Sequence, residues 1–237
     1  MGRSHLAFAL DYPNLTEAER GAALVAPEVG VLKVGLELFI QEGHAAVRMA
    51  RDLGTEVFLD LKLHDIEKTV ERAVGTATQL GVKYLTLHCS GGPRMMEAAA
   101  ARAQKENTGL VLLAVTVLPS LDASNIRAEG VESSPSDQAL RLAQLAQASG
   151  LGGLVCSSEE VGRLRSELGP ELVLVTPGIR PSGAELGDQK RVGSPGDAIA
   201  AGSSLLVVGR PIRDAADPRA AARAITSEIS AALAGAQ

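Results

Sequence analysis

The sequence contains no tryptophan, and its aromatic residues are three phenylalanines and two tyrosines, 2% of 237 residues. A chain so poor in aromatic platforms is not built to stack single-stranded bases, and its core must be aliphatic and closely interdigitated. Cysteine is also scarce. Cys89 and Cys156 are too few for a disulfide scaffold and fit a reducing compartment. Both follow apolar runs and read as small buried thiols. Positive charge is in deficit: 23 Lys and Arg against 28 Asp and Glu give a net charge of −5, which excludes a field for wrapping duplex DNA. Long hydrophobic runs are missing too. The longest, near Leu110–Leu118, is too short to span a membrane. The start, Met1-Gly2-Arg3-Ser4-His5-Leu6, reads as no signal peptide, and Leu6 stands where a myristoylation signal wants Ser or Thr. The expectation is a cytoplasmic protein with neither nucleic-acid nor membrane partners.

What is present is apolar and regular. Hydrophobic residues make up 46% of the chain and charged ones 22%, so a largely disordered chain is excluded. Short runs read as strands at Leu6–Leu10, Val31–Val34, Glu56–Leu61, Lys83–His88, Leu110–Thr116, Gly153–Val155, Leu172–Val175 and Ser204–Val208. Each is nearly continuous in apolar residues, the pattern of a parallel sheet covered on both faces. Helical patterns lie between them. Thr16-x-x-Glu19 and Ser157-x-x-Glu160 match capping boxes, Pro93 suits a first helical turn, and Ser194-Pro195 opens a short helix that Gly202 ends. Eight strand–helix alternations predict one (β/α)₈ TIM barrel over residues 1–237. A doubly wound open sheet is the alternative. Two connections after strands, Val117–Ser136 and Arg180–Arg191, are long and polar. In a barrel both lie on the C-terminal face, where active sites are built, and loops of that length there read as lids.

The third strand ends in charge: Asp60-Leu61-Lys62-Leu63-His64-Asp65. Asp60 and Lys62, two apart, point to one face of an extended strand, with Cα atoms roughly 6.5–7 Å apart. Burying both costs several kcal/mol per ion unless they pair. Asp65 lies just past the strand, where the turn can swing it back to complete an Asp–Lys–Asp group. Lys62, flanked by two carboxylates, is then a protonated donor and not a Schiff-base nucleophile. An ion pair plugging the barrel mouth would use the same residues. Asp11, Lys33 and His88 sit at the ends of other strands and add charge to the same face. At the opposite end of the chain, Thr176-Pro177-Gly178-Ile179-Arg180-Pro181 and Gly209-Arg210-Pro211 follow the seventh and eighth strands, the place of a recurrent phosphate site in such barrels.

Together these segments resemble the orotidine 5′-phosphate decarboxylase family over nearly the whole chain. The resemblance is carried by Leu10-Asp11, Lys33-Val34-Gly35, Asp60-Leu61-Lys62-Leu63-His64-Asp65-Ile66 with Thr69, His88 with Ser90-Gly91-Gly92, Ala114-Val115-Thr116, the two phosphate motifs and Gly187-Asp188-Gln189. It implies conversion of orotidine 5′-monophosphate to UMP and CO₂ in pyrimidine synthesis, without metal or organic cofactor. Asp60 would lie against the departing carboxylate and Lys62 would deliver the proton to C6. Asp65 would enter a neighbouring subunit's site, with Thr69 touching the ribose across the interface, so a homodimer with shared sites is implied. Asp11 and Lys33 match ribose-binding positions, and Arg180, Gln189, Gly209 and Arg210 match phosphate-binding ones. Phosphate binding would drive closure of the Arg180–Gln189 loop. One departure stands out. After the fifth strand the family commonly carries Thr or Ser against the pyrimidine, where this chain has Pro119. Either Ser120 or a backbone group is left to make that contact. Glu67-Lys68 replaces the more usual Pro-Asn between Ile66 and Thr69. The nearest alternative is a metal-dependent sugar-phosphate decarboxylase or aldolase of related fold. A non-catalytic nucleotide-phosphate binder is the alternative from another class.

Overall fold

A computed structural model describes residues 1–181 and 193–235. Eight parallel strands close into a barrel in sequence order, β1 through β8 and back to β1. They are β1 Leu6–Ala9, β2 Val31–Gly35, β3 Glu56–Leu63, β4 Tyr84–His88, β5 Val111–Val115, β6 Gly153–Val155, β7 Val173–Pro177 and β8 Leu205–Val208. The helices are α1 Leu15–Val25, α2 Leu36–Glu42, α3 His44–Asp52, α4 Glu67–Gln79, α5 Pro93–Glu106, α6 Ala123–Ala128, α7 Pro135–Ala148, α8 Val161–Leu168, α9 Pro195–Ala200, α10 Arg210–Arg213 and α11 Pro218–Gly235. The open-sheet alternative is thereby excluded. Among the described residues no helix is long and apolar enough to cross a membrane.

Alternation along the strands explains why they read as unbroken apolar runs. One side-chain set, including Leu6, Phe8, Leu32, Leu59, Leu85 and Leu87, packs outward against the helices. The other, including Ala7, Ala9, Val31, Phe58, Leu113, Val175, Leu205 and Val207, fills the barrel interior. Both sets are apolar because both faces are covered. The interior is not purely aliphatic. Phe58 meets Tyr84 edge to face with ring centroids 6.0 Å apart, a favoured aromatic geometry, and two of the five aromatic residues thus plug the centre.

Three local expectations are corrected. Helix α1 is capped by Asn14, whose side chain accepts from the Glu17 amide at 3.0 Å. Thr16 is already inside the helix, since Asn14, with extended backbone, is the residue immediately before it and presents the accepting side chain. At Ser157 only half a capping box forms. The Glu160 carboxylate accepts from the Ser157 amide at 2.9 Å, one turn ahead of α8. Segment 117–136 holds a helix of its own, α6, closed by a capping box between Asp122 and Asn125. It packs Ile126 on Val117 and Ala139 as a small satellite core. Pro93 does open α5, and Ser194 caps α9 by accepting from the Asp197 amide. Both cysteines are buried, and burial pushes the Cys89 thiol up to about 12.

Candidate active site

A parallel barrel delivers every strand's C-terminal end to one rim, and on that rim the charged strand ends meet. They enclose a cavity of about 210 Å³. Its floor is Phe58, with Ala9, Val155, Val175 and Val207 around it. Asp11, Lys33, Asp60 and Lys62 line it on the side of β1 to β3, and Gly178, Arg180, Gly209 and Arg210 follow β7 and β8. The lining therefore has two acids against four bases, a balance that suits a multiply charged anion.

Asp60 is the hub. Its carboxylate takes both oxygens to the Lys62 ammonium, at 2.8 and 2.9 Å. The Lys33 ammonium lies 3.5 Å from Asp60 Oδ2 and 3.6 Å from Asp11 Oδ1. Lys33 is buried. An added Cβ at Gly35 would sit 3.0 Å from its ammonium, so glycine there leaves that group its space. The route by which Asp60 and Lys62 meet differs from the expected regular strand. Between Leu59 and Leu63 the pairing of β3 with β4 shifts, and four residue steps of β3 face two of β4. Within this bulge Lys62 adopts φ +51°, a left-handed conformation that L side chains adopt at a cost of about 1 kcal/mol. The segment is tied to β4 by Thr86. Its Oγ1 accepts from the Lys62 amide at 2.9 Å and donates to Asp60 Oδ1 at 2.9 Å. Nothing in the sequence marked Thr86, which reads as one more β-branched strand residue. Only its placement on the interior-facing set of β4, two residues before His88, could have raised it.

Burial pushes the Asp60 carboxyl up. The Lys33 and Lys62 ammonium groups and the hydrogen bonds from Lys62 and Thr86 outweigh burial and hold it below its ordinary value. A depressed folded value means that the array's contribution to stability is complete above the ordinary aspartate value, about 3.9. It is lost as pH falls through the lower folded value. Asp60→Asn should therefore be less stable than the parent at neutral pH by about 3 kcal/mol, and the gap should narrow as pH falls below the ordinary aspartate value. Thermal melts across that range test this, and a gap independent of pH would contradict it.

Several expected residues lie elsewhere. The Asp–Lys–Asp group does not form within one chain. Asp65 is exposed and its Oδ1 accepts from the Ile66 amide at 2.6 Å, because β3 ends at Leu63 and the turn into α4 faces it outward. Thr69 is exposed on the first turn of α4. Ser120 is exposed and outside the lining, whereas Leu118 and Pro119 line the cavity. His88 ends β4 beside His64, ring centroids 5.6 Å apart, and burial, then His64 and Lys62, lower its pKa. Gln189, with most of the Arg180–Gln189 segment, lies outside the described residues. At its edges the Arg180 amide donates to the Gly193 carbonyl at 3.0 Å. Where β8 joins β1, a Cβ on Gly209 would meet Asp11 Oδ2 at 3.3 Å and Ala9 at 3.4 Å, so glycine lets the end of β8 close against β1. The Arg213 guanidinium holds the Asp11 carbonyl at 2.8 Å from the same side. Among the described residues no group of three or more His, Cys, Asp or Glu is placed to hold a metal ion.

Residues 4–225 match the family described as orotidine 5′-phosphate decarboxylase / HUMPS. Among curated proteins the chain is similar to an orotidine 5′-phosphate decarboxylase of Anaeromyxobacter sp. (strain K), 54% identical over 93% of this chain and 96% of the relative. One from Moorella thermoacetica is 48% identical over 93% and 90%. Among solved structures it is similar to the orotidine 5′-phosphate decarboxylase of Lactobacillus acidophilus, with a TM-score of 0.83 and 34% identity over 96% of this chain and 99% of that one.

Proposed function

Because the chain belongs to the orotidine 5′-phosphate decarboxylase / HUMPS family, we propose that it decarboxylates orotidine 5′-monophosphate to UMP, with Lys62 as proton donor and no metal or organic cofactor. One observation carries this reading. A single cavity has a tight Asp–Lys array on one wall and two arginines beside a close-fitting glycine on the other. Such a division of the lining suits a substrate with a reacting group at one end and an inert anion at the other.

Decarboxylation breaks the bond from C6 to the carboxylate carbon, CO₂ leaves, and the electron pair stays on C6. The Lys62 ammonium favours that charge and then gives C6 a proton. Asp60, ionised by its two lysines, repels the substrate carboxylate in the ground state and orients the ammonium. Asp11 and Lys33 hold the ribose. Arg180, Gln189, Gly209 and Arg210 hold the phosphate, the arginines by charge-assisted forks. The pyrimidine contact left open at Ser120 falls to the backbone beside Leu118 and Pro119, since those two residues line the cavity. Loss of orotidylate absorbance on adding the protein, with and without EDTA, tests the activity. Equal rates in both are expected. A rate that collapses with chelator would favour metal-dependent sugar-phosphate chemistry.

The homodimer belongs to the same proposal. Leu36, Ile40 and Ile66 are 47%, 80% and 71% exposed; Leu36 and Ile40 lie on α2, which follows β2, and Ile66 precedes α4, next to Asp65 and close in sequence to Thr69. Large exposed apolar side chains at the helices that follow β2 and β3 favour a protein partner, and a second copy would take Asp65 and Thr69 towards its own cavity. Ile40→Asp should raise the dimer dissociation constant about 100-fold, with activity falling as the monomer fraction rises in sedimentation runs. A fully active monomer would remove Asp65 and Thr69 from the shared site.

A further inference from the structure

We infer that Thr86 is a positioning residue: its hydroxyl sets the Asp60 carboxylate and the Lys62 main chain against each other and so aims the Lys62 ammonium. The inference rests on the roles proposed above for Asp60 and Lys62. Thr86 is fully buried on β4, and one hydroxyl there does two jobs. It accepts from the Lys62 amide and donates to Asp60 Oδ1, each at 2.9 Å. The same Oδ1 receives the Lys62 ammonium at 2.8 Å. With Oδ1 held from two directions, the carboxylate plane is set, and Oδ2 receives the Lys62 ammonium at 2.9 Å and lies 3.5 Å from that of Lys33.

The bulge is why such a device is needed. Ladder pairing between β3 and β4 lapses from Leu59 to Leu63, and Lys62 stands in the left-handed region. The Thr86 side chain takes over where the ladder stops and supplies an acceptor to the half-buried Lys62 amide. Threonine is well suited to this. Its methyl group restricts χ1, so the hydroxyl is presented in one orientation. Valine has the same shape and neither donor nor acceptor. In valine's place the Lys62 amide loses its acceptor and Asp60 one donor, and the reacting ammonium shifts by a fraction of its contact distance. A small misplacement of a reacting group can cost about 100-fold in rate.

Thr86→Val and Thr86→Ser in the full chain test this. With valine, kcat on orotidine 5′-monophosphate should fall about 100-fold, while the dissociation constant of UMP, which lacks the carboxylate, stays within about twofold of the parent. Serine, which keeps the hydroxyl, should restore kcat to within about threefold. A valine chain with parental kcat, a serine chain as impaired as the valine one, or equal losses in kcat and UMP binding would each overturn the inference. If the valine chain does not fold, Thr86→Ala, which also lacks donor and acceptor, takes its place with the same expectations. Hydrogen exchange of the Lys62 amide reads the bridge without turnover, and it should speed up with valine and not with serine. Unchanged exchange overturns the inference. A parent chain that releases no CO₂ overturns the activity reading instead, and the exchange result still stands.

Discussion

Replacing Lys62 with alanine should lower kcat on orotidine 5′-monophosphate by about 10⁴-fold or more while UMP still binds. Two separate contributions are removed. A positioned general acid is worth about 10²–10⁴-fold, and a fixed charge at a developing anion about 10²–10³-fold. The two act on one carbon and are not additive, so 10⁴ is the lower end of their product. The residues proposed for ribose and phosphate, Asp11, Lys33, Arg180 and Arg210, are untouched, and UMP has no carboxylate to be repelled by Asp60. Release of labelled CO₂ in a single turnover, with UMP binding by calorimetry, checks both halves. A kcat within about tenfold of the parent would remove Lys62 as the acid.

Orotidine, the same substrate without its phosphate, should lose about 10⁴-fold in kcat/KM. Hydrogen bonds to charged groups contribute about 1.5–3 kcal/mol each, and two guanidinium groups on one phosphate, as proposed for Arg180 and Arg210, would give about 5–6 kcal/mol at the upper end, or 10⁴-fold. In the proposed reaction the phosphate takes no part in bond breaking, so its binding energy would serve the distant reaction by fixing the substrate against the Asp–Lys array. A double comparison isolates this. Arg210→Ala should be costly with orotidine 5′-monophosphate and nearly silent with orotidine. Equal losses on both substrates would mean that Arg210 supports the fold and not the phosphate.

Most of the barrel was legible from local pattern. The runs beginning at Leu6, Val31 and Gly153 start where the strands start, because strands buried on both faces must be apolar at nearly every position. Gly209 and Arg210 and the charges at Asp60 and Lys62 were legible for the converse reason: charge at the end of an apolar run is costly unless something there needs it. The cap at Asn14 was missed because several side chains near a helix start can accept a hydrogen bond, and only backbone conformation chooses among them. The helix in 117–136 was missed because Pro, Ser and Asp mark turns and helix caps alike.

The sequence by itself determined that the chain forms a parallel barrel with aliphatic strands and that the charges ending several of those strands share one rim. Both follow from composition along short segments. Tertiary structure decided which groups touch. It turned Asp65 away from Lys62, left Ser120 outside the cavity, and put Phe58 at its floor where few aromatics were expected to matter. It also joined Thr86 to Asp60 and Lys62, 26 and 24 residues distant along the chain. Such contacts depend on the shifted register of two strands, and register is set by closure of the whole barrel, which no local window contains.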